Sequence, residues 1–148
     1  MSSPSVAQLI KPSSILLEMG ASNKNEAILE VAAMVRHDPD VSDFPCFCRE
    51  LLERDELKST AAGFGVAFPH ARTDAVREIV IAAGRNAAGV KFGDEPVQFL
   101  FVIGTPREKV TEYLVAVGSL ARLLRQEKTR AALLAAKTPE EFIHALEG

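Results

Sequence analysis

Apolar side chains at Ala27, Ile28, Val31, Ala32 and Val35 recur at three- and four-residue spacing, which predicts an amphipathic helix over residues 23–36. Ser22, with Glu26 a few residues on, reads as its start, and His37-Asp38-Pro39-Asp40 as its stop, leaving His37 solvated. Asp43 is placed to cap a second helix running to about Leu57. That helix would turn Phe47, Leu51 and Leu52 inward, with Glu50, Glu53, Arg54 and Asp55 on a charged side. The period then changes. Residues 64–68 alternate large and small, so Phe64, Val66 and Phe68 are expected on one face of a short strand. Pro69 keeps Phe68 out of the helical region, and the strand should therefore deliver His70 at its end.

Ile15-Leu16-Leu17 reads as a weak strand, Glu78 to Ala83 as a buried one, and Val97 to Ile103 as the strongest in the chain. A turn-rich connection is expected from Gly89 to Pro96, and Gly104-Thr105-Pro106 should stop the last strand. From Glu108 to about Arg125 the helical period returns, with Tyr113 on the apolar face beside Val110, Val117 and Leu120. A short helix near residues 128–135 follows, and then one that Thr138 and Pro139 begin, with Phe142, Ile143 and Leu146 inward and His144 near the surface. Without repeats or linkers, this order predicts one α/β layered domain over residues 1–148, with residues 1–10 loosely held.

Composition narrows the function classes more than the fold. The chain has 148 residues, is 47% hydrophobic and carries a net charge of −3, so nothing argues for a nucleic-acid or anionic-membrane partner. No apolar run approaches the ~20 residues of a membrane-spanning helix, and the N-terminus lacks a signal-peptide core, so a cytoplasmic location is expected. Cys46 and Cys48 sit two apart, which suits neither a low-strain disulfide nor a complete metal site. Reduced thiols are the reading, with no metal and no cofactor expected.

Chemistry concentrates in one stretch. Gly63 and Gly65 let the backbone approach a ligand, Ser59 and Thr60 supply hydroxyls, and Arg54 offers a planar fork suited to phosphate oxygens, with Arg72 a second cation. A neutral imidazole at His70 has a lone pair at physiological pH, because its ordinary pKa is about 6.5. Such a set suits phosphoryl transfer, which asks a protein mainly for positioning and charge stabilisation.

The run Glu53-Arg54-x-x-Leu57-x-Ser59-Thr60 followed by Gly63-x-Gly65-Val66-Ala67-Phe68-Pro69-His70 resembles the signature of the fructose/mannitol-type enzyme IIA domains. These belong to the bacterial phosphoenolpyruvate-dependent sugar phosphotransferase system, and the stand-alone nitrogen-regulatory IIA proteins share the pattern. The resemblance covers roughly residues 5–147 and extends to the Pro96-Val97 strand and the Thr105-Pro106 turn. It implies a mixed β-sheet flanked by helices on both faces. It also implies that His70 accepts a phosphoryl group from the phosphocarrier HPr and passes it to a cysteine of an enzyme IIB domain, or holds it as a regulatory signal. Arg54 would steady the phosphoryl oxygens and Thr60 would donate a supporting hydrogen bond. One position departs: Tyr113 stands where family members commonly carry a second active-site histidine. A phenol can donate a hydrogen bond but offers no imidazolium charge. The alternative reading is an interaction module, in which phosphorylation switches an apolar docking surface at Phe64 and Phe68. Homodimerisation is left open.

Overall fold

Phe99, Phe101 and Ile103 alternate with Leu100 and Val102 along one strand, and all five are buried, so over these residues the strand has no solvent face. The strand, β6 (Glu95–Thr105), lies inside a six-stranded mixed sheet; a computed structural model describes residues 5–147 of the chain. The other strands are β1 (Ile15–Leu16), β2 (Ala61–Gly63), β3 (Val66–Ala67), β4 (His70–Arg72) and β5 (Val80–Phe92). Their order is β1-β5-β6-β3-β2, with β4 also paired to β6. β5 runs antiparallel to β6, while β3 and β4 both lie parallel to it.

Helices cover both faces, as expected. On one side α1 (Lys24–Ala32) and α2 (Phe44–Leu57) pack Ile28, Val31, Phe47 and Leu51 against Ala82, Leu100 and Val102. On the other, α3 (Val110–Leu124), α4 (Glu127–Ala135) and α5 (Pro139–Ala145) pack Leu120, Leu133 and Phe142 against Ile81, Phe99 and Phe101. The expected caps at Asp43 and Thr138 are in place, each accepting from a backbone N–H three residues on. Among the described residues, no helix is long and apolar enough to cross a membrane.

Several boundaries move. Asn23, not Ser22, caps α1, accepting from the Glu26 N–H at 2.9 Å, and the helix tightens into a 3-10 turn at Ala33–Val35. Residues 1–4 lie outside the described residues. Val6, Ala7 and Ile10 are buried rather than loosely held, because a 3-10 turn at Val6–Leu9 lays them on the α3 side of the sheet. β5 begins at Val80 and runs on through the expected turn-rich region to Phe92, reversing only at Gly93-Asp94. Its polar middle is a bulge, where the Asn86 side-chain oxygen accepts from the Ala88 and Gly89 N–H groups. Just before it, Arg85 donates to the Leu17 carbonyl at 3.0 Å and to the Leu133 and Ala136 carbonyls at 2.8 and 2.6 Å.

The stretch leading to His70 is also built differently. Gly63, Phe64 and Gly65 all have positive φ (84°, 58° and 74°), so the chain turns back there instead of starting a strand. Phe64 therefore does not share a face with Val66 and Phe68; it stands exposed in the turn while they are buried. β3 and β4 continue the same alignment along β6, interrupted at Phe68-Pro69, where proline has no N–H to offer. His70 consequently opens β4 rather than ending a strand.

Gly104 shows how tightly the helical layer is laid on β6. A Cβ there would stand 2.8 Å from Cε1 of Phe47 and 3.1 Å from Val80 Cγ2. Gly104→Ala should cost about 1–3 kcal/mol of stability, seen in urea titration as a lower midpoint at unchanged m.

Candidate active site

The last turn of α2 presents two neighbouring side chains to opposite environments. Asp55 falls four residues after Leu51 and eight after Phe47, which puts it on the buried stripe of the helix. Arg54, one position earlier, points to the partly open side, where its Nη1 donates to the Lys58 carbonyl at 3.1 Å. The buried carboxylate has partners on both oxygens, hydrogen bonds at one and an ion pair at the other. Its Oδ1 accepts from the Thr60 Oγ1–H at 2.8 Å and the Thr60 N–H at 3.2 Å. Its Oδ2 forms an ion pair with Lys24 Nζ at 2.7 Å.

Thr60 is thereby fixed in a buried position, and its carbonyl accepts from the Phe68 N–H at 3.0 Å. Beyond Phe68 comes the proline, then His70. Ile103 N donates to the Pro69 carbonyl at 2.9 Å, holding the β4 approach against the central strand. The imidazole turns back on its own chain: Nδ1 lies 2.9 Å from the Phe68 carbonyl oxygen. A carbonyl can only accept, so Nδ1 carries the proton and Nε2 keeps its lone pair.

α3 supplies the far wall. Tyr113, in its first turn, is half-buried, with its ring centroid 5.2 Å from that of His70 and the planes tilted by 41°. Burial pushes the His70 pKa below its ordinary 6.5; the bond to Phe68 opposes this and the Arg54 charge adds to it. Burial likewise raises the Tyr113 phenol, with Arg54 and Arg72 pulling the other way. A neutral histidine and a protonated phenol thus face each other, with two guanidinium groups near enough to act on them electrostatically. The arrangement offers a nucleophilic nitrogen, a phenolic donor and positive charge for an incoming anion.

The structure brings His70 and Tyr113, distant in sequence, into ring contact and sets Arg54 near enough to act on both electrostatically. Thr60 is beside them with a changed job: its single hydroxyl hydrogen is committed to Asp55. The charged side of α2 expected to hold Asp55 does not expose it, and the four-residue step from Phe47 through Leu51 is the signal that marks it as buried. Phe68 is also buried, so of the two aromatics expected at a docking surface only Phe64 is exposed. Cys46 and Cys48 are free thiols on α2, away from this site. Cys46 is held protonated chiefly by its bond to Glu50, and Cys48 by burial.

Comparison with known proteins gives the arrangement its context. The family model described as "Phosphoenolpyruvate-dependent sugar phosphotransferase system, EIIA 2" matches residues 8–148. A fructose-specific EIIA component of Haloferax volcanii is 33% identical over 129 residues, covering 85% of this chain and 84% of that protein. A nitrogen regulatory protein of Bradyrhizobium diazoefficiens is 27% identical over 144 residues, covering 95% and 94%. The crystal structure of the nitrogen regulatory protein IIA-Ntr from Neisseria meningitidis superposes with a TM-score of 0.85 at 25% identity, over 95% of this chain and 98% of that one.

The depressed His70 pKa has a signed consequence. Below pH 6.5 the unfolded chain binds this proton before the folded one does, so the His70 contribution to stability is complete at neutral pH. It is lost as pH falls from the ordinary histidine value through the folded one. Nuclear magnetic resonance titration of the imidazole should place its midpoint below 6.5. His70→Ala should flatten the pH dependence of stability in that window; a midpoint above the ordinary value would contradict the burial described.

Proposed function

We propose that His70 is the phosphoryl acceptor of this chain, which belongs to the phosphoenolpyruvate-dependent sugar phosphotransferase system EIIA 2 family and has a phosphocarrier or regulatory role in that system. The observation that carries the assignment is the Nδ1–H bond to the Phe68 carbonyl. It orients the ring, fixes the tautomer and leaves Nε2 as the nucleophile beside Arg54 and Tyr113.

In this reading an HPr-like phosphohistidine protein docks in the cytoplasm against the face holding His70. The Nε2 lone pair attacks phosphorus, a new N–P bond forms, and the electron pair of the donor's N–P bond returns to the donor's imidazole. The Nδ1–H, already pointed at a carbonyl, stabilises the positive charge that the phosphorylated ring acquires. The Arg54 guanidinium balances the phosphoryl oxygens and the Tyr113 hydroxyl donates to one of them. Onward transfer to the cysteine thiolate of an enzyme IIB domain reverses these roles. Tyr113 supplies a neutral donor there, so it stabilises the transferring phosphoryl group in the transition state less than a cationic imidazolium would.

Supplying phosphoenolpyruvate, enzyme I and HPr to the purified chain should give an acid-labile phosphate that His70→Ala abolishes. Label surviving that substitution would sink the assignment. Tyr113→His should speed transfer to IIB by on the order of tenfold, because charge-assisted donors are roughly twice as strong as neutral ones. Unchanged kinetics would make Tyr113 a packing residue.

A regulatory reading has one observation of its own in Phe64. This residue is 57% exposed at φ 58°, a conformation that bulky side chains rarely adopt, with the Arg130 guanidinium 5.0 Å from its ring. A strained, exposed aromatic on the loop of the acceptor histidine suits contact with a target protein. Phe64→Asn places a residue tolerant of that backbone there and should raise the melting temperature while weakening target binding at least severalfold. A variant that binds its target as the parent does would remove Phe64 from the interface.

A further inference from the structure

Asp55 is the one acidic residue buried in the described chain, at 3% exposure, and no step of the proposed transfer uses it. Burying a carboxylate is costly unless the charge is paired and its lone pairs are occupied. Here the charge is paired through Lys24 at Oδ2, and Oδ1 accepts from the two Thr60 donors, while Oδ2 accepts no hydrogen bond besides its ion pair. The partners are not arranged at random. From Asp55 the hydrogen bonds run without a break to the candidate nucleophile: Thr60 N–H and Oγ1–H to Asp55, Phe68 N–H to the Thr60 carbonyl, and His70 Nδ1–H to the Phe68 carbonyl. The peptide of Phe68 is therefore held at its N–H by Thr60 while its carbonyl holds the imidazole. Its neighbour Pro69 has a fixed φ and no N–H, so it cannot pair with any alternative acceptor.

We propose that Asp55 is a positioning residue for the phosphoryl-accepting imidazole, acting through Thr60 and the Phe68 peptide. This rests on His70 being the acceptor. Lys24, reaching from the start of α1 with a third of its side chain exposed, closes the far end of the chain of bonds by balancing the carboxylate. Asp55 keeps Thr60 down, Thr60 keeps the Phe68 peptide in its plane, and that plane dictates the ring angle and the Nδ1–H tautomer. The same latch constrains the loop whose Lys58 carbonyl receives Arg54, so the nucleophile and the oxyanion partner share one anchor. The Thr60 hydroxyl then has no hydrogen left for a phosphoryl oxygen, and its contribution to transfer is indirect.

The test compares Thr60→Val, Thr60→Ser and Lys24→Met in the full chain, with two readouts. One is the pair of His70 ring ¹⁵N shifts, which report the tautomer without any phosphorylation. The other is steady-state phosphorylation by phospho-HPr. Thr60→Val should move the two ring nitrogens toward averaged values and lower kcat by on the order of tenfold at unchanged KM, the size expected when a reacting group is slightly misplaced. Thr60→Ser should restore both. Lys24→Met, which leaves the Thr60 bonds formable and guards against a valine variant that does not fold, should move both readouts in the same direction by a smaller factor. A Thr60→Val protein with a reduced kcat and parental ¹⁵N shifts would overturn the proposal, since the hydroxyl would then act on the phosphoryl group itself. Parental values in both readouts would overturn it as well. If the parent chain takes no phosphate on His70, the functional reading fails, and the ¹⁵N comparison still decides whether Asp55 orients the ring.

Discussion

Because β6 is buried on both faces and hydrogen-bonded along both edges, its backbone groups have no water to fall back on, and every neighbour must meet them in register. That requirement reaches the functional site directly. β3 and β4 share one edge of β6 with a single alignment, Val66 opposite Phe99 and His70 opposite Ile103. A slip of one residue would exchange the faces and send the imidazole toward α2 rather than α3. Parallel pairing also gives His70 the same orientation as Ile103, which belongs to the α3-side core, and so brings it to Tyr113. The position of His70 is a property of the sheet before it is a property of the loop.

What could be read from the sequence, and what could not, divides along the range of the interactions. Asp43 and Thr138 announce their helices because a cap is settled within four residues. Val97 to Ile103 announces a strand because burial on both faces leaves Gln98 as its one polar position. The turn at Gly63-Phe64-Gly65 is harder. Its large-small alternation imitates a strand, and only the left-handed φ of three successive residues shows that the chain reverses. β5 misleads in the opposite sense: Gly89 to Pro96 reads as a turn-rich connection, yet Val90 pairs with Val97 and Phe92 with Glu95, carrying the strand on. Within the site, Arg54, His70 and Tyr113 are legible through the motif. Asp55 is not, because its charge class argues for solvent while its helical spacing argues for the core, and spacing decides once Lys24 and Thr60 are there to receive it.

The electrostatics of the site follow from where the protein has put its charges. Cations approach from α2 and from the end of β4, and His70 and Tyr113 between them are both neutral at rest. In the proposed role such a site would exert its attraction mainly on the anionic phosphoryl group rather than on either neutral ring. With a tyrosine in the far wall, the field is fixed by the arginines alone and does not vary with the protonation of a second histidine.

Arg85 has a bearing on how the molecule comes together. A single guanidinium grips the carbonyl of Leu17 near one end of the chain and those of Leu133 and Ala136 near the other. Nε serves the first segment and Nη1 the second, so releasing either leaves part of the same half-buried guanidinium unpaired, which ties the two chain ends to one another. Contacts of such long span are entropically expensive before they are complete, which makes this junction a late event in folding. The half of the sheet that carries His70 is built from nearer neighbours and can form ahead of it.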